Sequence, residues 1–269
     1  MHIAVSTMLT GLISVVLTGN IAAQDVQSLK SQLQRTADKA EQVVILNKLG
    51  NAMRNAGNGA EAIVYHKQAL DICLAANDSV SAARTLNYIG SNYCRLNNFD
   101  SAYYYLQWAL KMNSDSGDAA RIENNLALVE QRRGNYAKAH NHYAIAASNW
   151  LKINNKPEYA STMNLMGNMY LSRNMFDSAL AHYHEALKIR TELDDTLSIA
   201  QSFNNIATLY KNNGQFDSAL VNLNQSIELL RAVRNSAKLA DGFNNLGGLY
   251  WQNKMYKESL GNYLKALNL

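Results

Sequence analysis

Along most of the chain, apolar and small residues recur at i, i+3, i+4 and i+7, as in Phe203, Ile206, Ala207 and Tyr210, and again in Phe243, Leu246, Gly247 and Tyr250. A helix of 3.6 residues per turn gathers such positions into one stripe, so the pattern predicts amphipathic helices with one buried face. The stripe is also copied. Segments headed by Asn47, Asn87, Asn124, Asn164, Asn204 and Asn244 begin at intervals of 40, 37, 40, 40 and 40 residues. Six copies at so regular a spacing describe a repeat array, in which each copy buries its stripe only by stacking on its neighbours.

Turn signals divide every copy in two. Gly57, Asn97, Gly134, Asn174 and Gly214 follow the first apolar stripe, where a residue tolerant of the left-handed conformation ends a helix; Lys254 departs from this in the sixth copy. Two residues on stands Phe99, Tyr136, Phe176, Phe216 or Tyr256, and in three copies Asp100, Asp177 and Asp217 come next, placed to cap a second helix. Small residues at Ala62, Ala102, Ala139, Ala179, Ala219 and Ser259, and at Ala69, Ala109, Ala146, Ala186, Ser226 and Ala266, allow the two helices of a copy to approach closely. The expected fold is all-α, a series of antiparallel helical hairpins.

Leu-Gly, Tyr three residues on, Ala twelve on, then an aromatic or His and a second Ala, is a pattern that resembles the tetratricopeptide repeat. The resemblance spans 43–269 as six units starting near 43, 83, 120, 160, 200 and 240, each longer than the usual repeat of about 34 residues. It implies a right-handed superhelical α-solenoid whose first helices line a concave groove. Residues 24–42, with Val26, Leu29, Leu33, Ala37 and Ala40 at near-helical spacing, are expected to form a helix covering the first repeat. The third unit is irregular: it arrives three residues early and carries Glu123 and Glu130 on its core stripe, which predicts a bend or soft joint there.

Projected on a helical wheel, Leu46, Leu49, Gly50 and Met53 face the partner helix, which leaves Asn47 and its equivalents Asn87, Asn124, Asn164, Asn204 and Asn244 on the groove side. A primary amide carries two donors and an acceptor, so a column of them suits the backbone of an extended peptide. The same column would equally serve to bond neighbouring helices and fix their stacking, and both roles stay open. Ser91, Asn168 and Thr208 extend this face, and Arg84, Arg95, Arg121 and Arg132 project onto it in units two and three. Four grouped guanidiniums would favour a carboxylate. Chaperone-binding members of the family carry a lysine where this chain has its Asn column, so the resemblance does not extend to their carboxylate clamp.

Composition narrows the functional classes. Of 269 residues, 48% are hydrophobic and 17% charged, and the formal charge is +4 with no basic run interleaved with aromatics, which argues against nucleic acid as a partner. Cys73 and Cys94 make neither a disulfide framework nor a metal spacing. His140/His142 and His182/His184 stand two apart, about 200° around a helix, and cannot share one ion. No phosphate loop or catalytic motif is visible, so neither an enzyme nor a cofactor is expected. Residues 1–23 lack Asp, Glu, Lys and Arg and end in Ile21-Ala22-Ala23, which reads as an export signal or an uncut signal anchor. The expected partner is a protein or extended peptide in the groove. Further expectations are a membrane tether through residues 1–23 or a C-terminal part beyond Leu269, and a homodimer through the uncapped C-terminal end. The resemblance suggests the extracytoplasmic sensory portion of a bacterial signalling protein; a stand-alone scaffold, periplasmic or cytoplasmic, is the alternative.

Overall fold

The computed structural model describes residues 26–113 and 115–269, so the expected export signal lies outside the described residues. Thirteen helices and no strand occur among them. α1 covers residues 26–35. Six hairpins follow: α2 (Lys39–Asn55) with α3 (Gly59–Ala75), α4 (Ser79–Arg95) with α5 (Phe99–Met112), α6 (Ser116–Arg132) with α7 (Tyr136–Lys152), α8 (Lys156–Leu171) with α9 (Phe176–Glu192), α10 (Thr196–Asn212) with α11 (Phe216–Ala232), and α12 (Ser236–Gln252) with α13 (Tyr256–Leu267). They form two compact units divided within α7, at Ala139 and His140.

Each hairpin closes on a left-handed residue. Gly57, Asn97, Gly134, Asn174 and Gly214 have φ between 56° and 85°, and Lys254 adopts the same conformation at φ 62°. In the fifth hairpin Gln215 N–H then donates to Tyr210 O at 2.9 Å, which satisfies a carbonyl that the end of α10 would otherwise expose. Each first helix begins on an Asx side chain: Asp38, Asp78, Asp115, Asn155, Asp195 and Asn235 each accept from a backbone N–H of the first turn. The cap at Asp38 starts α2 at Lys39, so residues 39–42, expected in the covering helix, belong to the first hairpin. The second helices start differently from expectation. The N-cap is the residue before the aromatic, Asn98, Met175 or Gln215, so Asp100, Asp177 and Asp217 sit inside the first turn, where a negative charge meets the helix dipole without capping.

In the first unit α2 packs on α3, α3 on α4, α4 on α5 and α5 on α6. Leu49, Leu86 and Leu126 are fully buried, each contributing roughly 1.5–3 kcal/mol by the area it removes from water, and Leu33 of α1 lies against the same core. In the second unit α8 packs on α9, α9 on α10, α10 on α11, α11 on α12 and α12 on α13, around Tyr183, Ile206, Leu223 and Leu246. A hairpin needs a small residue where its helices cross. A Cβ at Gly167 would stand 2.5 Å from the Tyr183 ring.

The early arrival of the third copy has a local cause. α5 has 14 residues where α3, α9 and α11 have 17, and it ends at Asn113 in extended backbone. The other second helices pass through Asn77, Asn154, Asp194 or Arg234 in the left-handed region. Glu130 is 2% exposed, yet its carboxylate accepts from Asn135 Nδ2 at 2.7 Å and stands 3.5 Å from Arg133 Nη1. The cost expected of an unpaired carboxylate on the core stripe is therefore not incurred at Glu130.

Candidate functional site

The repeated asparagines occupy the third turn of each first helix, and α4 with α6, α8 with α10 and α10 with α12 bring one of them within hydrogen-bonding reach of an asparagine on the next first helix. In the first unit Asn125 Nδ2 donates to Asn87 Oδ1 at 2.7 Å. In the second, Asn205 Nδ2 donates to Asn164 Oδ1 at 2.5 Å and Asn245 Nδ2 to Asn204 Oδ1 at 2.7 Å. Each rung joins the first Asn of one copy to the second Asn of the next. The second column, Asn125, Asn205 and Asn245, was visible in the sequence as the Asn-Asn doublets at 124–125, 204–205 and 244–245.

In the second hairpin the doublet is missing, and Asn47 is bonded in another way. Tyr88 stands where the second hairpin would carry the donor to Asn47, and Asn47 turns instead to two other groups. Its Nδ2 donates to Thr85 Oγ1 at 3.0 Å, and its Oδ1 lies 2.9 Å from His66 Nδ1, the geometry of a donating Nδ1–H. His66 is fully buried, and desolvation, with a smaller contribution from the Arg54 charge, lowers its pKa to about 4.

The rungs decide which amides face solvent. Asn164 is 7% exposed and held by its rung. Asn47, Asn87, Asn124 and Asn204 are half-buried, and Asn244 is exposed. Asn168 Oδ1 accepts from the Tyr183 hydroxyl at 2.6 Å, which ties it to its own hairpin partner. A rung consumes one N–H and one carbonyl of the two amides it joins. The bond from Asn245 to Asn204 leaves the second Nδ2 hydrogen of the donor, the Nδ2 of Asn204 and the Oδ1 of Asn245 unused, and the two residues line a cleft of about 340 Å³ between α10 and α12 together with Gln201, Asn205 and Asn244.

The four arginines do not form one cluster. Arg84 Nε donates to Asp118 Oδ2 at 2.6 Å, and Arg121 Nη1 to Asp118 Oδ1 at 3.2 Å. Arg95 and Arg132 lie eleven residues further along α4 and α6, about 16 Å up the helix axis, because a wheel records the face but not the rise. Asp118, 7% exposed at its side chain and not anticipated from the sequence, supplies the carboxylate that the first pair would recruit. With Asn87, Tyr88 and Ile122 these groups line a second cleft of about 250 Å³ between α4 and α6. A third, of about 450 Å³, lies on α5 beside Tyr103, Trp108 and the 62% exposed Tyr104.

Among the described residues, no group of three or more His, Cys, Asp or Glu is placed to hold a metal, and no helix is long and apolar enough to cross a membrane. His140 Nδ1 lies 3.0 Å from the Tyr170 hydroxyl, and His182 Nδ1 lies 2.7 Å from Ser178 O.

The tetratricopeptide repeat family model matches residues 41–115, 118–192 and 198–269. No curated protein sequence matches the chain. Among solved structures it is similar to BtubC (BKLC) from P. vanneervenii, at 22% identity and a TM-score of 0.63 over 80% of this chain and 90% of that one. It is also similar to a Rap protein complexed with Competence and Sporulation Factor, at 17% identity and TM-score 0.67 over 94% and 71% of the two chains. A third is the Rap conjugation gene regulator of the plasmid pLS20 in complex with the Phr* peptide, at 17% identity and TM-score 0.63 over 94% and 70%. At these identities the likeness is one of fold.

Proposed function

The chain belongs to the tetratricopeptide repeat family, and from that premise we propose that its first helices hold an extended peptide or protein segment by its backbone. The protein is an interaction scaffold of helical hairpins; what it grips, and with which residues, is the proposal. The observation that carries it is the polarity of the rungs. Each fixes two amides by one bond and leaves a donor of one and an acceptor of the other unused by it, as with Asn204 Nδ2 and Asn245 Oδ1, whose residues line one cleft. An extended backbone presents N–H and C=O in alternation and matches such a pair, whatever its side chains. The grip extends to Asn87, Asn124 and Asn244, with Arg84 and Arg121 at the cleft between α4 and α6; Asn47 is committed to Thr85 and His66 and takes no part. Two solved neighbours are described as complexes with the Competence and Sporulation Factor and the Phr* peptide, which supports a peptide as guest.

A display library of random peptides panned on the protein provides the test. Enriched peptides should bind the Asn204→Ala/Asn244→Ala variant at least tenfold more weakly, since two backbone hydrogen bonds contribute about 1 kcal/mol each. Capture unchanged by the variant would move the binding surface elsewhere.

The proposal includes an exported, sensory role. Its support is the uncharged apolar segment 1–23 with Ile21-Ala22-Ala23 at its end, together with the resemblance to extracytoplasmic sensory arrays. Cell fractionation that leaves the chain uncleaved in the cytoplasm would remove this part of the reading. A membrane tether through residues 1–23 would instead place the uncleaved chain in the membrane fraction. A stand-alone scaffold is the second reading, and recovery of the uncleaved chain in the soluble fraction, bound to partner proteins, would favour it. A homodimer through α13 would cover Leu260, Tyr263 and Leu264, all exposed, and sedimentation equilibrium reads it directly.

A further inference from the structure

One column of the first helices lies two residues before the repeated asparagine. It is filled by Ile45, Thr85, Ile122, Thr162, Ser202 and Gly242. The first five are at most 3% exposed. A side chain at position 242 would point at α11, because a Cβ there would stand 3.1 Å from Ile227 Cγ1 and 3.9 Å from Leu230 Cδ1. Only this copy leaves the position without a side chain, which lets Ile227 pack closely against it, and the cleft of about 340 Å³ between α10 and α12 has Gly242, Leu230 and Ser226 among its lining.

We propose that this cleft is a side-chain subsite of the peptide groove, and that it takes one neutral hydrogen-bonding side chain, an amide or a hydroxyl, from the guest. The inference rests on the peptide-binding reading above and adds to it a position of sequence preference.

The lining sets the chemistry. Leu230 makes part of the wall apolar, and Ser226 Oγ–H is committed to Ala200 O at 2.8 Å, so its lone pairs are left to accept. Gln201, Asn204, Asn244 and Asn245 offer both donors and acceptors, and the 2.7 Å rung from Asn245 to Asn204 holds two of them in place. Lys238 and Asp241, one turn apart on α12, bring opposite charges to the same lining. A guest carboxylate would meet Asp241 and a guest ammonium would meet Lys238, so either ion gives up water for a field that is close to balanced. A neutral polar group gives up less and finds both kinds of partner. The volume lies at the small end of the range for ligand pockets, about 300–1,000 Å³, which suits one side chain and not a whole peptide.

The test uses peptides selected from a random display library on the full chain. Those lost by Asn204→Ala/Asn244→Ala should share Asn, Gln, Ser, Thr or Tyr at one register. Gln201→Ala, which removes an exposed amide from the lining, should weaken such a peptide about tenfold at unchanged helix content. Replacing the shared peptide residue by Ala should weaken binding to the unmodified protein by a similar factor and have no further effect on Gln201→Ala. Independent effects of the two changes, or a shared residue that is charged or aliphatic, overturn the subsite and leave the groove standing. If no selected peptide is lost by Asn204→Ala/Asn244→Ala, groove and subsite fall together.

Discussion

His66→Tyr should stabilise the first hairpin at neutral pH and remove most of its sensitivity to acid. The fourth hairpin supplies the template. There Tyr183 packs on Gly167 and its hydroxyl reaches Asn168 Oδ1 at 2.6 Å. In the first hairpin His66 packs on Gly50 in the same way and Asn51 takes the place of Asn168, but the imidazole stops short, and His66 Nε2 and Asn51 Oδ1 are both buried without a partner. Each such atom costs roughly 1–3 kcal/mol. A tyrosine would replace one of them and satisfy the other, at the loss of the 2.9 Å contact to Asn47 Oδ1, worth about 1 kcal/mol. The net gain expected at pH 7 is about 1–2 kcal/mol. Acid enlarges it. The folded chain keeps His66 neutral down to about pH 4 while the unfolded chain takes up the proton near 6.5, so the unfolded state binds the extra proton between these values. Stability therefore falls as pH falls through that window, by about 3 kcal/mol in all. Native-state hydrogen exchange of α2 and α3 at pH 7 and pH 4.5 measures both effects locally, which matters in an array whose hairpins need not unfold together. The reasoning is refuted if the variant keeps the acid slope of the parent, or if its protection at pH 7 is lower.

Lys254→Gly should raise stability by about 1 kcal/mol in urea unfolding, because φ 62° strains a residue with a Cβ; a loss would mean that its side chain makes a compensating contact. Asn164→Ala should cost about 1 kcal/mol through its buried rung, whereas Asn244→Ala, exposed, should stay within about 0.5 kcal/mol; equal losses would contradict the difference between them. Asp118→Asn should destabilise by about 1 kcal/mol at low salt and less at 0.5 M NaCl, since the Arg84 and Arg121 guanidiniums are half exposed; a cost independent of salt would show that the charge is not what matters.

What the sequence made legible was the repeat and its turns, because both are local. The left-handed residues fall at the positions where Gly and Asn stand, and even Lys254 obeys the backbone its copy requires. The six Asx caps share the spacing of the asparagine column, whereas Asp100, Asp177 and Asp217, expected as caps, lie two residues past the caps of their helices. A wheel assigns Asn87 and Arg84 to a face, yet it describes one helix alone. Whether an amide looks to solvent or to the next copy depends on the distance between helices, and Asp118 could not be anticipated as the partner of Arg84 without it. The bond of His66 to Asn47 stands where Tyr88, on a third helix, breaks the doublet pattern.

The rungs carry one more consequence, for how such a gene changes. Every rung runs the same way, from the second amide of a later copy to the first amide of the one before it, so it is indifferent to the number of copies. Unequal recombination that excised or duplicated the copy holding Asn204 and Asn205 would bring a fresh donor against a waiting acceptor with no compensating mutation. The copy holding Tyr88 lacks that freedom: placed after any other, it would confront an acceptor with a phenol and no histidine tailored to it.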